Sequence, residues 1–292
     1  FMTWETSEST NFGLDVNLTN NLSFALDIWG KRTKDILGSQ LDELPSTVGG
    51  NIPNTNYGEM KSNGYEIEVD YNNNIGDFNY YLGANYGYAT DEVVKIAQGD
   101  NIRDFQNRIG RSWNYIAGLV YDDILRTQED IDALPAGYTI YGQTPQLGQI
   151  NYRDISGVDG LPDGKIDGLD NTVIADNAAP TSTYGIKLGG SLKGVSVDVL
   201  FQGTGGYKKI LSAQAPYGWT RVYGIWQDYW SPENVNATMP KPNWDIASDR
   251  YHSTFWLKNA DYLRLRNLNI GYDLPEKVLH TIGVKKLKLF IS

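Results

Sequence analysis

Five aspartates spaced among glycines between residues 154 and 170 form a pattern suited to metal binding. They are Asp154, Asp159, Asp163, Asp167 and Asp170. Calcium prefers several converging oxygen ligands, and glycine lets a backbone fold tightly around the ion, so the segment is a candidate calcium site. The fit to an EF-hand loop is loose, because Asp154 lies too early and an aspartate ends the run. The alternative is an acidic loop whose carboxylates cap its own backbone turns.

A second candidate site is aromatic. Six of the eight tryptophans lie in long segments between predicted strands, together with several tyrosines. Aromatic rings offer a large contact area at low entropic cost, which suits stacking on sugars or peptide side chains. The candidates for contact with a ligand or a covering protein are Tyr217, Trp219, Trp226, Tyr229 and Trp230. The alternative for most tryptophans is packing inside the long loops, which need a core of their own.

No constellation of residues predicts an enzyme. Glu66, Glu68 and Asp70 resemble paired glycosidase carboxylates in type, but they lie two residues apart on one face of a predicted strand. The two histidines, His252 and His280, are far apart in sequence, and no Gly-x-Ser-x-Gly or His-Glu-x-x-His motif occurs. The lack of cysteine excludes thiol nucleophiles, disulfides and thiolate metal sites. Calcium is therefore the only candidate cofactor.

The charge and hydropathy of the chain exclude two further classes of protein. Lysine and arginine total 25 against 35 aspartates and glutamates, which gives a net charge of -10. A nucleic-acid partner is disfavoured, because such proteins need a positive surface to displace counterions from phosphates. No apolar run reaches the roughly 18 residues that a membrane-spanning helix requires.

Apolar and polar side chains alternate along much of the chain, which predicts strands with one apolar face. Tyr65, Ile67, Val69 and Tyr71 alternate with acidic residues, for example. A change of phase near Asn267 predicts a bulge. The same pattern predicts eight strands, at 11–18, 22–36, 65–71, 78–89, 183–192, 195–202, 260–272 and 285–292.

The connections between these strands alternate between short and long. The long ones are 37–61, 91–182 and 203–259. Antiparallel strands with short turns at one end and long loops at the other are typical of an outer-membrane barrel, whose apolar face contacts lipid. Tyrosines near the strand ends fit the aromatic girdles of such barrels. A soluble antiparallel sandwich also alternates, but it does not predict that all long loops fall at one end.

Several segments, in order, resemble the C-terminal part of SusC/RagA-type TonB-dependent outer-membrane transporters. They cover essentially the whole chain, and their combination is specific although each is short. The segments are TWETS (3–7), NFGLD (11–15), KSNGYEI (61–67), DGKID (163–167), YWSPEN (229–234), DYLRLRNL (261–268) and GYDLP (271–275).

This resemblance implies an all-β fold, in which residues 1–292 supply about eight wall strands and three extracellular loops of one barrel of about 22 strands. The plug domain, the TonB-contacting N-terminal parts and the final strands are expected to lie outside this sequence. The implied function is import of an oligosaccharide or peptide across the outer membrane, with a SusD-like surface lipoprotein as lid and energy from the TonB–ExbB–ExbD complex. The alternative is a passive or structural barrel whose loops scaffold surface-protein assembly.

Overall fold

The computed structural model describes residues 2–38, 54–99, 101–211, 223–242, 245–281 and 283–292. Strands dominate these ranges. None of the helices within them is long and apolar enough to span a membrane.

The elements fall into long strands and short strands. The chain begins with four long strands, β1 (Thr6–Asn17), β2 (Leu22–Gly38), β3 (Thr55–Ile75) and β4 (Phe78–Lys95). A first excursion then holds β5 (Ile116–Gly118), β6 (Tyr121–Ile124), α1 (Gln128–Asp132), β7 (Thr139–Ile140), β8 (Ile150–Tyr152), β9 (Lys165–Ile166) and β10 (Thr172–Ala175). After it come β11 (Ser182–Leu192), β12 (Val195–Gly205), β13 (Lys208–Ile210), β14 (Leu257–Asn259), β15 (Tyr262–Asp273), α2 (Glu276–Thr281) and β16 (Lys288–Ile291).

Among the described residues, eight strands form one antiparallel sheet, here called the wall. Their order is β1-β2-β3-β4-β11-β12-β15-β16, so each strand pairs with the next wall strand along the chain. The remaining short strands pair only with one another, outside the wall. The expected antiparallel β fold and its eight wall strands are therefore present.

The wall strands reach farther than the sequence pattern predicts at their long-loop ends. β3 begins at Thr55 and β4 continues to Lys95, because backbone pairing persists after the apolar alternation stops. The first long connection is correspondingly shorter than 37–61, and its residues 39–53 lie outside the described ranges. The bulge is present one residue before Asn267, where Arg266 has no partner opposite β12.

The register places apolar side chains of neighbouring strands side by side. Val69 on β3 lies opposite Phe24 on β2 and Ala84 on β4, and Ala84 lies opposite Ile186 on β11. Val69 and Ile186 are each 37% exposed. A continuous exposed apolar surface across several strands is typical of a lipid-facing wall.

Aromatic side chains border this apolar face at both ends. Toward the long excursions, the rings of Tyr65 and Tyr88 lie 5.6 Å apart. Toward the short turns, Tyr71 lies 6.0 Å from Tyr80, which stacks on Phe78. Tyr65 and Tyr71 are separated by about 20 Å along β3. The arrangement is that of two aromatic girdles flanking an apolar band.

The opposite face of the wall is polar, and ion pairs connect side chains of different strands on it. Lys187 Nζ on β11 lies 2.9 Å from Asp70 Oδ1 and 3.4 Å from Glu68 Oε1, both on β3. This bridge passes over β4 at Gly83, where a Cβ atom would collide with Lys187 and Asp70. Glu68 and Asp70 therefore have a structural role in the wall.

Candidate functional site

The two longest excursions fold onto each other. We call the described residues of 96–181 and 206–261 the loop assembly. The amide of Leu119 in the first excursion donates to the carbonyl of His252 in the second (2.9 Å), and the amide of Thr254 donates back to the carbonyl of Leu119 (3.0 Å). The two excursions are thus joined by backbone hydrogen bonds.

The loop assembly has an apolar core of its own. Both excursions contribute buried side chains, namely Leu119, Ile140, Ile150, Tyr152 and Ile166 from the first and Trp226, Met239 and Trp256 from the second. Burying one large apolar side chain contributes about 1.5–3 kcal/mol. This shared core stabilises the excursions as one unit, as the alternative interpretation of the tryptophans predicts.

The predicted aromatic contact residues divide into buried and exposed ones. Trp226 and Trp230 are only 6% and 4% exposed, and the indole of Trp230 donates to a backbone carbonyl of the first excursion. Tyr229 is 44% exposed. Tyr217 and Trp219 lie outside the described residues. Among the described candidates, Tyr229 alone presents its ring to a ligand or a covering protein.

Tyr229 borders an open cleft between the two excursions. The cleft has a volume of about 720 Å³. Apolar side chains and prolines line it together with polar ones, among them Ile131, Pro145, Gln146, Tyr229, Ser231 and Lys241. Concave surfaces that combine apolar and polar side chains are typical of ligand sites. The cleft is the candidate contact site of the loop assembly.

The carboxylates of the acidic segment bind backbone amides of the same segment. Asp154 accepts hydrogen bonds from the amides of Asp163 (3.2 Å) and Gly164 (2.6 Å). Asp170 is buried, and burial raises its pKa although backbone amides oppose the shift. It accepts hydrogen bonds from the amides of Ile155 (2.9 Å), Ser156 (3.1 Å) and Asp167 (2.8 Å).

The other three aspartates of the segment also accept hydrogen bonds from nearby amides. Asp159, Asp163 and Asp167 accept from the amides of Leu161 (3.4 Å), Lys165 (3.0 Å) and Leu169 (2.7 Å), respectively. Each acceptor lies two residues before its donor, which is the geometry of an aspartate capping its own turn.

An arginine from outside the acidic segment also donates to oxygens within it. The guanidinium of Arg103 donates to Ser156 Oγ (3.0 Å) and to the carbonyl of Gly157 (2.9 Å). Nowhere in the described ranges do three or more carboxylates or histidines form a group that could hold a metal ion. The geometry therefore favours the acidic-turn interpretation, and calcium binding stays a prediction.

A buried carboxyl that the sequence pattern does not indicate joins the two excursions. Asp249 lies in a short 3-10 helix, Ala247–Arg250, and is 5% exposed. Its Oδ1 accepts a hydrogen bond from the amide of Ile150 (2.9 Å), and the indole of Trp256 donates to its carbonyl (2.7 Å). Oδ2 has no hydrogen-bond partner among the described residues. The sequence of this segment predicts an exposed polar turn, so its periodicity does not indicate that Asp249 is buried.

Burial raises the pKa of Asp249 to about 8, against the opposing effects of the Ile150 amide and the Arg250 charge. It also raises the pKa of the neighbouring Tyr152 well above its ordinary value. Asp249 is therefore mainly protonated at neutral pH, which avoids placing an uncompensated charge in an apolar core.

Comparison with known proteins gives relatives that extend over the whole chain. No family model matches it. The chain is 26% identical to the TonB-dependent receptor P3 of Formosa agariphila over 99% of its own length and 29% of that protein. It is 24% identical to the TonB-dependent receptor P26 of the same organism, over 100% of this chain and 30% of that one.

Solved structures share the fold. A chain of the RagAB peptide transporter matches 99% of this chain and 32% of its own length, with a TM-score of 0.70 and 22% identity. The RagAB peptide importer in the open-open state matches with a TM-score of 0.71 and 22% identity, over 100% of this chain and 32% of that one. The chain thus spans about a third of the length of the proteins it matches. These matches confirm the predicted resemblance to SusC/RagA-type TonB-dependent transporters and the predicted fold class.

Proposed function

We propose that the chain forms part of the wall and the extracellular loops of an outer-membrane transporter that imports a nutrient with energy from the TonB–ExbB–ExbD complex. The observation that carries this proposal is the pairing of a lipid-type apolar wall with one loop assembly, built from excursions that leave the wall at the same end. The sequence relatives are named TonB-dependent receptors, which supports this proposal. Residues 1–292 then belong to a single barrel domain whose plug and remaining strands lie elsewhere in the protein.

The first ligand class to test is a peptide, and the second is an oligosaccharide. A protein of the same fold is named a peptide transporter. The cleft beside Tyr229 offers prolines and apolar side chains for contact with peptide side chains, and its aromatic ring also suits a sugar face. A SusD-like surface lipoprotein is the proposed lid above the loop assembly. Binding is non-covalent, and we propose no enzymatic activity.

The experiment is uptake of a fluorescent peptide mixture and of labelled oligosaccharides by cells that carry the intact transporter. Tyr229→Ala removes the exposed ring of the cleft and should lower uptake and lid co-purification. Tyr223→Ala is the matched control, because Tyr223 is 49% exposed and does not line the cleft. Equal uptake by both variants would contradict a role for the cleft.

A passive barrel, or one whose loops scaffold surface-protein assembly, is the alternative function. Energy dependence separates the two functions. Dissipation of the proton gradient should stop uptake through a TonB-dependent transporter, whereas passive diffusion would continue.

A further inference from the structure

We propose that Arg108 forms a carboxylate-binding site where the loop assembly joins the polar face of the wall. The site is separate from the cleft beside Tyr229, whose described lining residues do not include Arg108. Its position inside a barrel rests on the proposed function, to which it adds a second contact point for a ligand that passes inward.

Two aromatic rings hold the guanidinium of Arg108 in place. Its central carbon lies over the ring of Trp113, 5.0 Å from the ring centre, and over the ring of Tyr115 at 5.4 Å. Both distances fall within the roughly 6 Å over which a cation is attracted to an aromatic face. The hydroxyl of Tyr115 donates to the carbonyl of Phe105 (2.8 Å), which fixes this ring in turn. The guanidinium is therefore pre-organised for a ligand.

Arg108 has few partners for its five side-chain N–H donors. Within the described ranges, its side chain makes one long hydrogen bond, from Nη1 to the carbonyl of Trp113 (3.4 Å), and no salt bridge. Arg111 differs, because it pairs with Asp104 (2.9 Å) and donates to the carbonyl of Asn107 (3.0 Å). Arg108 is half-buried, and a half-buried charge without a counterion is costly, so an anionic ligand would stabilise it.

An aspartate of the wall attaches this site to the polar face. Asp91 on β4 accepts hydrogen bonds from Ser112 Oγ (2.8 Å) and from the amide of Trp113 (2.7 Å). It follows Asn85 by six residues, and the register with β3 is continuous between them, so both side chains point to the polar face. Trp113 is 49% exposed. Solvent therefore reaches the ring over which the guanidinium lies.

The chemistry of Arg108 indicates the class of ligand. A guanidinium presents a planar fork of donors that matches the two oxygens of a carboxylate, and such charged pairs are about twice as strong as neutral hydrogen bonds. Peptides supply carboxylates at the C-terminus and on acidic side chains, and oligosaccharides supply them on uronic acids. The group that Arg108 recognises in either class is the carboxylate.

The test is retention of probes by the intact transporter, purified and immobilised, with their carboxylates either free or blocked. One pair is a tryptic digest of serum albumin and the same digest converted to methyl esters. The other pair is oligogalacturonate and its methyl ester. In at least one pair the free form should be retained about tenfold more than the ester, and that pair identifies the source of the carboxylate. Equal retention of both forms in both pairs, or no retention of any probe, would overturn the site.

Three variants assign the preference to Arg108. Arg108→Gln removes the charge and should abolish the difference between free and blocked forms, whereas Arg108→Lys keeps the charge without the planar fork and should leave an intermediate difference. Arg153→Gln is the matched control, because Arg153 also lies in the loop assembly but its Nε is 3.8 Å from a carboxylate oxygen of Asp122. It should leave the difference intact. A wild-type preference in Arg108→Gln would contradict the assignment.

Retention requires neither energy nor uptake, so failure of the proposed function is distinguishable. A barrel that does not import its ligand with energy from the TonB complex would still prefer the free carboxylate if the site exists. The comparison of free and blocked probes on the wild type also decides the question if a variant fails to fold.

Discussion

Asp249 places a protonatable carboxyl inside the core that the two excursions share. The pKa of an aspartate in an unfolded chain is about 3.9, and burial raises that of Asp249 to about 8. Its contribution to docking of the excursions is therefore fully present below about pH 4. It is lost as the pH rises toward 8, by up to about 1.4 kcal/mol per pH unit.

We expect the segments around Ile150 and Asp249 to exchange amide hydrogens faster at about pH 9 than at about pH 6, after correction for intrinsic rates. Asp249→Asn keeps the acceptor for the Ile150 amide and cannot ionise, so it should flatten this pH dependence. The measurement is hydrogen exchange by mass spectrometry on the intact protein. A wild type and variant with the same pH profile would show that another group controls docking.

The acidic segment gives a second prediction at the scale of residues. Asp154→Ala removes the acceptor of the Asp163 and Gly164 amides, which are not fully buried, at a cost of about 0.5–1.5 kcal/mol. It should speed trypsin cleavage after the exposed Lys165. Asp159→Ala is the control, because Asp159 makes a single long hydrogen bond of 3.4 Å. A chelator should leave wild-type cleavage unchanged. Faster cleavage with chelator would establish the calcium site instead.

The sequence predicts the wall strands well, because apolar and polar side chains alternate along strands that have one apolar and one polar face. The sequence pattern does not predict the long-loop end of β3. There, Tyr57, Glu59 and Lys61 occupy the same face as Tyr65 and Ile67, so the apolar alternation stops although the strand continues. The pattern also misses β7 and β9 in the loop assembly, because two residues carry no readable period. The bulge is predictable because Arg266 shifts the phase of the apolar side chains after it.

The two faces of the wall should respond differently to charge. Val69→Arg places a cation on the apolar face and should cost about 2–4 kcal/mol at mid-membrane, with a lower folded yield in outer membranes. Asn85→Arg is the polar-face control, because Asn85 lies opposite Glu68. It is a sharper control than Asp70→Arg, which would remove the partner of Lys187. Equal yields of the two variants would contradict the assignment of the faces.

At the scale of the whole molecule, the sequence predicts the wall more completely than it predicts the loop assembly. The position of the long excursions follows from strand parity, whereas their mutual packing depends on contacts between distant residues, such as Leu119 with His252. Such contacts leave no periodic signal. Tyr229 and Trp230 are adjacent and of similar type, yet one is exposed and the other is buried. Sequence therefore predicts the aromatic segment but not which rings remain available for a ligand.

The central claim is that the apolar face lies in the membrane while the loop assembly faces the cell exterior. The chain contains no cysteine, so single cysteines can report the location of chosen sites once any others in the full transporter are removed. The measurement is labelling of intact cells with a membrane-impermeant maleimide. Tyr229→Cys should be labelled at once, Asp77→Cys only after the outer membrane is permeabilised, and Val69→Cys only after the protein is unfolded. Equal labelling of the three sites on intact cells would contradict the account.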